Sequence, residues 1–385
     1  MKNRIILLVL PLFLILGLLT FVLPQKIDSS LERRALSNNN DLKNTSIIDY
    51  SFQNKLDDIL NDQFIIRDNT INIYNNIINS INNIVDKGFI MYPNEVLKVN
   101  DYLMDPIVIK EEDKIKLIKN RAYNIKQIKE KYPEIPLLVY KPTRLEETNL
   151  IDKEYIYSYG NDYNNHYTSE AGDIIFKQME IDSIDTFEKY FYKTDVHWNP
   201  YGAYQGYTDI ITTLNDYFDL GDMKEINEYK CLDKDFHGSF SNKIGQSYKP
   251  EKLCDITLKG IGEYTYYEDN EIVDIDNIKQ YYINGIIDTR YSDYDNYFGN
   301  NPFERRFEFE NNTNVNALFF VDSYINVNKT WLASHFDTTI MLDMRSKPDD
   351  FNLDEYIKKY NIDTIVVSMY HYNLYENGYN FIPIK

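Results

Sequence analysis

The chain has 385 residues and carries 60 acidic against 41 basic side chains, which gives a formal net charge of −19. This charge excludes a nucleic-acid-binding protein, because a basic surface supplies most of that kind of affinity. After the first apolar segment roughly 350 residues remain, enough for one large α/β domain with insertions or for two domains, so the chain can bury a substantial core.

The N-terminus has the pattern of a membrane segment. Lys2 and Arg4 precede an uncharged run from Ile5 to Pro24. That run is long enough to span the hydrocarbon core, and the positive charges mark its cytoplasmic side. We expect residues 1–25 to be a single-pass signal anchor in the cell membrane, with the C-terminal domain extracytoplasmic. A cleaved signal peptide is the alternative, but no Ala-x-Ala-like cleavage site precedes Gln25.

Residues 26–50 are rich in Ser and Asn and are expected to form a polar tether. The extracytoplasmic domain is then predicted to cover residues 51–385. It begins with an amphipathic helix, because apolar residues recur on one helical face. These residues are Phe52, Leu56, Ile59, Leu60 and Phe64.

The alternation of apolar strands and helices predicts an α/β fold. A strand at Phe89–Tyr92, a helix at Glu111–Lys131 and a strand at Pro136–Tyr140 suggest a β-α-β unit. Three short apolar runs near the other end favour a parallel sheet covered by helices on both faces. These runs are Leu318–Val321, Thr339–Leu342 and Thr364–Ser368. Residues 219–315 are Tyr-, Asp- and Asn-rich and are expected to form an insertion of hairpins and loops.

The segment Thr194 to Asn199 places an aspartate and a histidine two residues apart, as Asp195 and His197. Asn199 followed by Pro200 is typical of a helix N-cap with proline at the first helical position. We therefore expect Asp195 and His197 to lie just before a helix, exposed on a rigid base.

The second motif is Val321-Asp322-Ser323-Tyr324, which follows an apolar strand and precedes a helix-like pattern. Ser323 is thus expected at a strand-to-helix turn, where unpaired backbone N–H groups can stabilise an oxyanion. A serine hydroxyl becomes a good nucleophile when an imidazole accepts its proton and a carboxylate orients that imidazole. The two motifs together supply these three groups.

The run from Thr194 to Tyr204 resembles the Asp-x-His-Trp signature of the DHHW proteins and of the alginate O-acetyltransferase-like branch of the SGNH hydrolases. Supporting matches occur in the expected order, at Glu32–Leu36, at Phe52–Asp68 with its final run Asn61–Asp68, at Gly238-Ser239, at the serine motif and at Leu342–Arg345. The resemblance implies an SGNH hydrolase-like, flavodoxin-like sheet and a permuted motif order, with Asp195 and His197 before the nucleophile.

The resemblance also implies the chemistry. We expect a membrane-anchored O-acetyltransferase or acetylesterase that acts on a cell-surface polysaccharide through an acetyl-serine intermediate. Ser323 would be the nucleophile, His197 the base and Asp195 its orienting carboxylate. A multipass membrane acyltransferase is implied as the acetyl source, and no cofactor or metal is implied. Candidates for substrate or oxyanion contacts are Tyr324, Arg345 and Trp198.

Two other functions stay open. Val321 stands where the family's serine motif usually has glycine, which allows a tight turn and an unobstructed N–H. This favours a catalytically inactive module that binds glycan or scaffolds a membrane acyltransferase. Asp-x-His can also begin a metal-dependent phosphoesterase site. That function ranks well behind, because the five histidines form no cluster with ligand spacing.

The chain has two cysteines, Cys231 and Cys254. They form either one disulfide in an oxidising compartment or two free buried thiols. The sequence leaves both possibilities open.

Overall fold

The computed structural model describes residue 11 and residues 15–85, 89–92, 96–105, 111–151, 160–311, 313–370 and 373–374. Much of the predicted membrane segment, including residues 5–10 and 12–14, lies outside these residues. In the part of the chain that is described, no helix has the length and apolar character needed to cross a membrane.

The described residues include fifteen strands, eleven α-helices and four short 3-10 helices, besides a helical stretch over residues 15–22. The strands are β1 Asp28–Ser29, β2 Arg34–Ala35, β3 Phe89–Tyr92, β4 Val96–Val99, β5 Tyr102–Met104, β6 Leu137–Lys141, β7 Ile175–Gln178, β8 Ile226–Phe236, β9 Glu251–Leu258, β10 Tyr264–Glu268, β11 Glu271–Ile272, β12 Glu304–Phe309, β13 Asn316–Val321, β14 Thr338–Asp343 and β15 Thr364–Ser368.

The α-helices are α1 Ser51–Asp62, α2 Arg67–Val85, α3 Glu111–Lys131, α4 Gly160–Ala171, α5 Ile184–Tyr190, α6 Pro200–Leu214, α7 Ser239–Lys243, α8 Ile275–Ile283, α9 Asp293–Phe298, α10 Lys329–Ala333 and α11 Leu353–Tyr360. The 3-10 helices are Asn39–Asn44, Leu145–Glu147, Ser323–Asn326 and Met344–Ser346.

An eight-stranded sheet organises the chain, in the order β11-β10-β12-β14-β13-β15-β6-β7. The five strands from β14 to β7 are parallel, and β12, β10 and β11 extend the sheet with antiparallel pairing. If the parallel strands are counted from β13 and the count continues from β15 to β6, their spatial order is 2-1-3-4-5. This is the flavodoxin-like order with its starting point moved along the chain. The predicted α/β class is confirmed, and the shift agrees with the permuted motif order.

Alternate residues of β13 enter the two cores. Ala317, Phe319 and Val321 pack on one face of the sheet with helices α6 and α10. Leu318 and Phe320 pack on the other face with α3, α4 and α11. Every one of these strand residues is buried, so β13 lies in the middle of the molecule and fixes the position of whatever follows Val321.

The strand at Phe89–Tyr92 is present, but the prediction that it begins a β-α-β unit is wrong. It pairs antiparallel with β4 in a separate three-stranded sheet. β4 begins shortly after β3 ends, and a short connection joins antiparallel strands, whereas parallel strands need a long crossover.

Residues 219–315 are only in part the predicted insertion of hairpins and loops. β8 and β9 form a separate hairpin, as expected. However, β10 to β12 join the central sheet, and two helices, α8 and α9, lie between them. β12 pairs antiparallel with β14, so this region completes the edge of the sheet.

The segment 26–50 is not a free tether in this structure. β1 and β2 pair as a small hairpin, and the charged side chains around it form ion pairs with the first two helices. Arg34 lies 2.5 Å from Asp62, and Glu32 lies 2.5 Å from Arg67. Composition suggested a linker because Ser and Asn are frequent here, but these ion pairs hold the segment on the domain.

Cys231 and Cys254 form a disulfide between facing residues of β8 and β9. Their pairing was open from the sequence. It is consistent with an oxidising compartment, where disulfides persist.

His335 lies buried near the end of the segment after β13. Its Nδ1 lies 2.8 Å from Leu220 O, and its Nε2 lies 2.7 Å from the Tyr207 hydroxyl. The pattern fits a neutral imidazole that donates to the carbonyl and accepts from the hydroxyl. Burial lowers the pKa of His335 from 6.5 to about 4.

We expect His335 to make the fold less stable in acid. The unfolded state takes up its proton near pH 6.5 and the folded state near pH 4, so stability is lost as the pH falls between these values. The loss at pH 4.5 should be about 2 kcal/mol relative to pH 7. Urea unfolding of the wild type and of His335→Gln at both pH values measures it. Equal pH dependence in the two proteins would show that His335 contributes nothing.

Candidate active site

The segment from Asp195 to Trp198 is a short connection between helices α5 and α6. Asn199 caps α6 as predicted, because its side-chain oxygen accepts from the N–H groups of Tyr201 and Gly202 at 2.9 and 3.1 Å. Pro200 occupies the first helical position. The cap ends the loop abruptly, so Asp195 and His197 are held at a fixed distance from a rigid helix.

Ser323 lies at the turn that follows β13 and starts a 3-10 helix, Ser323–Asn326. Both carboxylate oxygens of Asp322 stabilise this turn. Its Oδ1 accepts from the N–H of Tyr324 at 3.0 Å. Its Oδ2 accepts from the N–H of Tyr370 at 3.1 Å and from Asn373 Nδ2 at 2.7 Å, which ties the turn to the segment after β15.

The structure brings the two motifs together at the carboxyl edge of the parallel strands. His197 Nδ1 lies 2.6 Å from Asp195 Oδ1, and His197 Nε2 lies 2.7 Å from Ser323 Oγ. Asp195 and His197 are buried, whereas Ser323 is partly exposed. A continuous chain of hydrogen bonds therefore runs from a buried carboxylate to the hydroxyl of a partly exposed serine.

Asp195 is held as an anion although it is completely buried. Burial raises its pKa, but the adjacent imidazole and the N–H groups of His197 and Ser239 outweigh burial, so the pKa lies below its ordinary value. The N–H of His197 lies 2.8 Å from Oδ1, and that of Ser239 lies 2.5 Å from Oδ2. Both carboxylate oxygens are thus hydrogen-bonded.

Gly238 allows the approach of Ser239 to Asp195. A Cβ at position 238 would lie 2.3 Å from Thr194 O and 2.6 Å from Asp195 Cβ, closer than atoms can pack. In the sequence, Gly238-Ser239 is a family match that stands in the expected order along the chain. Its contact with the carboxylate was not predicted, because the two segments are 44 residues apart.

A tyrosine from the region 219–315 covers the imidazole. The ring of Tyr294 stacks on His197 with centroids 3.8 Å apart and planes 4° apart. The next residue, Asp295, has its pKa raised by burial, and the charges of His197 and Arg345 oppose that rise. No motif pointed to either residue, since both lie in a stretch where Tyr and Asp are common.

Two of the three candidates for substrate or oxyanion contacts are fully buried. Trp198 Nε1 donates to Tyr324 O at 2.9 Å, and the Tyr324 hydroxyl donates to Val196 O. In the first bond the segment Asp195–Trp198 donates to the turn at Ser323. In the second bond that turn donates to the segment. The side chains of Trp198 and Tyr324 therefore join the two motifs and are shielded from solvent in this structure.

Arg345, the third candidate, lies at the same edge of the sheet with its side chain partly exposed. Its Nε lies 2.9 Å from Asp343 Oδ1, and its Nη2 lies 2.5 Å from Asp343 Oδ2. Burial raises the pKa of Asp322, and the charge of Arg345 opposes that rise. Arg345 is thus both ion-paired and close enough to act on the charges around Ser323.

Val321 does not occupy the turn itself. It is the last residue of β13, paired with Asp343 and Ser368 on the two neighbouring strands, and its side chain is buried in the core. Its backbone is extended, so a branched side chain fits without strain. The turn begins one residue later, at Asp322.

Each ring nitrogen of His197 has a hydrogen-bond partner, Asp195 for Nδ1 and Ser323 for Nε2. Among the described residues, no group of three or more His, Cys, Asp or Glu side chains has an arrangement that could hold a metal ion. The arrangement at His197 is that of a proton-transfer chain from a hydroxyl to an imidazole.

Solved structures with the same fold are found although no family model and no curated protein matches the sequence. Bacillus cereus PatB1 is 21% identical, with a TM-score of 0.57 over 74% of this chain and 99% of its own. PatB1 has also been solved with a sulfonyl adduct. A DHHW family protein from Eubacterium siraeum is 16% identical, with a TM-score of 0.57 over 76% of this chain and 95% of its own.

The O-acetyltransferase domain of Pseudomonas putida AlgJ also matches, with 12% identity over 75% of this chain and 93% of its own. The TM-score of this match is 0.41. The predicted resemblance to the DHHW proteins is confirmed at the level of the fold by the Eubacterium siraeum match.

We expect Gly238→Ala to destabilise the protein, because the added methyl group forces the backbone of Thr194 and Asp195 away from Ser239. Overpacking of this kind costs about 1–3 kcal/mol. Ser239→Ala is the control, since it keeps the N–H bond to Asp195 and removes only the hydroxyl that accepts from Val196 N. Urea unfolding measures both variants. If Gly238→Ala were as stable as the wild type, the close approach would be incorrect.

Proposed function

We propose that this protein is an SGNH-like O-acetyltransferase or acetylesterase that acts on a cell-surface polysaccharide through Ser323, His197 and Asp195. The observation that carries the proposal is the hydrogen-bond chain from buried Asp195 through His197 to Oγ of the partly exposed residue Ser323, with contacts of 2.6 and 2.7 Å. A buried, ionised carboxylate at one end and a reachable hydroxyl at the other are what serine-dependent acyl transfer requires.

In the first half of the reaction, Ser323 Oγ attacks the carbonyl carbon of an acetyl ester while His197 Nε2 takes the hydroxyl proton. Asp195 accepts from Nδ1 and stabilises the resulting imidazolium. The tetrahedral intermediate collapses, the bond to the leaving oxygen breaks, and the leaving oxygen receives the proton from His197. Ser323 then carries the acetyl group.

In the second half, a sugar hydroxyl or a water molecule takes the place of the leaving group. His197 removes its proton as the oxygen attacks the acetyl carbonyl, and the bond to Ser323 Oγ then breaks. Oγ regains the proton from His197, so the enzyme returns to its first state. A sugar acceptor gives transfer, and water gives hydrolysis.

The backbone N–H of Ser323 is the donor that we assign to the oxyanion. The first N–H groups of a helix have no partner inside it, and Ser323 begins the 3-10 helix. The N–H of Tyr324 is already bound to Asp322 Oδ1. Removal of one such donor typically costs about 10²–10³-fold in rate, so its position matters greatly.

The location and partners are part of the same proposal. Lys2, Arg4 and the run Ile5–Pro24 support a single-pass anchor with the domain outside the membrane. The disulfide between Cys231 and Cys254 is consistent with that compartment. We propose a multipass membrane acyltransferase as the acetyl source, from the family resemblance. The alternative, an inactive glycan-binding or scaffolding module, was favoured by Val321, whose buried strand position weakens that argument.

We expect Ser323 to become acetylated when the full chain, purified in detergent, is incubated with an aryl acetate. Ser323→Ala and His197→Ala should abolish the acetyl group found there by mass spectrometry, and aryl acetate turnover should fall about 10³-fold or more. Ser247→Ala is the control, because its hydroxyl donates only to Ile244 O outside the site.

Turnover that both variants leave unchanged would contradict the serine mechanism. The absence of labelling at Ser323 at any aryl acetate concentration would favour the binding or scaffolding function instead. Because PatB1 carries a sulfonyl adduct in one structure, an aryl sulfonyl fluoride is a second probe of the same hydroxyl.

A further inference from the structure

The N-terminal motif Glu32–Leu36 contacts helix α9. Arg33 Nη2 lies 2.9 Å from Asp293 Oδ1, although the two residues are 260 positions apart in sequence. The side chains are 13% and 3% exposed, so this ion pair is shielded from solvent. Three further titratable groups interact electrostatically with Arg33 and Asp293. These groups are Lys234, His237 and Tyr282.

Asp293 is directly followed by the tyrosine that covers the imidazole. Tyr294 is fully buried and stacks on His197 at 3.8 Å. Its hydroxyl has no hydrogen-bond partner in the described part of the chain, so the contacts of its ring hold it in place. A displacement of Asp293 would move Tyr294 as well, because the two residues are adjacent in a single turn of helix.

The C-terminal end of α9 is bound by two side chains that follow Ser323 in the chain and by one from β12. Lys329 Nζ donates to Phe298 O at 2.5 Å, and Asn326 Nδ2 donates to Gly299 O at 3.0 Å. Arg305 Nη2 donates to Asn300 O at 2.6 Å. Three successive carbonyls are thus bound by buried side chains, one of which, Asn326, belongs to the same 3-10 helix as Ser323.

We infer that Arg33 is a positioning residue of the active site, which holds helix α9 through Asp293 so that Tyr294 stays packed on His197. This inference rests on the proposed function for its catalytic consequence. The segment next to the proposed membrane anchor then helps to position the site. A change in the contacts of that segment would affect His197 through the Arg33–Asp293 ion pair and the ring of Tyr294.

The neighbouring arginine provides a matched control. Arg34 lies in the same motif and pairs with Asp62 of α1 at 2.5 Å, with no contact to α9 among the ion pairs and hydrogen bonds of the described residues. Arg33→Ala removes the ion pair with Asp293, and Arg34→Ala removes those with Asp62 and Glu32. Only the first of these pairs leads to His197.

The test compares the full chain with Arg33→Ala, Arg33→Lys, Asp293→Asn and Arg34→Ala. Hydrogen–deuterium exchange of peptides that cover residues 293–300 and 194–199 reports the order of α9 and of the histidine loop. The rate at which an aryl sulfonyl fluoride modifies Ser323 reports the alignment of the nucleophile. Arg33→Ala should raise exchange in both segments and slow the modification about 10²-fold, the typical effect of a misplacement near 1 Å.

Arg33→Lys should restore much of both readouts, since one N–H contact to Asp293 can be rebuilt, and Asp293→Asn should be intermediate. Arg34→Ala should leave both close to the wild-type level, because the ion pair of Glu32 with Arg67 still holds the hairpin on the domain. If Arg33→Ala does not fold, Asp293→Asn decides the question, with exchange expected to rise in residues 293–300 and to stay closer to the wild-type level in Arg33→Lys.

Unchanged exchange in residues 293–300 would overturn the inference. So would raised exchange with an unchanged rate of Ser323 modification, because α9 would then not position His197. Wild-type Ser323 that resists both the sulfonyl fluoride and an aryl acetate would count against the proposed function. In that case the exchange measured in residues 194–199 decides the inference alone, since it does not depend on catalysis.

Discussion

The hydrogen bond between His197 Nε2 and Ser323 Oγ depends on two loops that meet although their motifs are 126 residues apart. Two reciprocal bonds secure the meeting, from Trp198 to Tyr324 O and from the Tyr324 hydroxyl to Val196 O. The buried tryptophan and tyrosine exclude water between the loops, which strengthens every polar contact there. The fold places both loops at one edge of the parallel strands, as in other open α/β sheets that carry sites at the carboxyl ends of their strands.

Burial has opposite outcomes for the two carboxylates that support the motifs. The pKa of Asp195 lies below its usual value, because an imidazole and two backbone N–H groups outweigh burial. The pKa of Asp322 lies above its usual value, because burial outweighs the charge of Arg345 and the donors around it. The first carboxylate is suited to stabilise an imidazolium, and the second to fix a turn.

The region 219–315 does more than extend the sheet. It supplies Ser239 to the carboxylate, Tyr294 to the imidazole and Asp293 to the N-terminal motif. The N-terminal motif and the Asn61–Asp68 match, which the sequence showed only as runs in the expected order, meet through the ion pairs of Arg34 with Asp62 and of Glu32 with Arg67. Arg33 continues this connection to α9. Segments that precede β6 and β7 in the chain and segments that follow them thus contribute to one site.

The sequence by itself determined the elements whose signals are local. Asn199 and Pro200 start a helix through a backbone cap, and the apolar run before Ser323 is a central strand because each of its side chains can be buried on one face or the other. Only the tertiary structure decided which side chains meet: that Gly238 must be small, that Tyr294 covers His197, that Phe89–Tyr92 belongs to a separate sheet and that Arg33 pairs with Asp293. These contacts join residues far apart in the chain, so they depend on the packing of the whole sheet and leave no periodicity or spacing in the sequence.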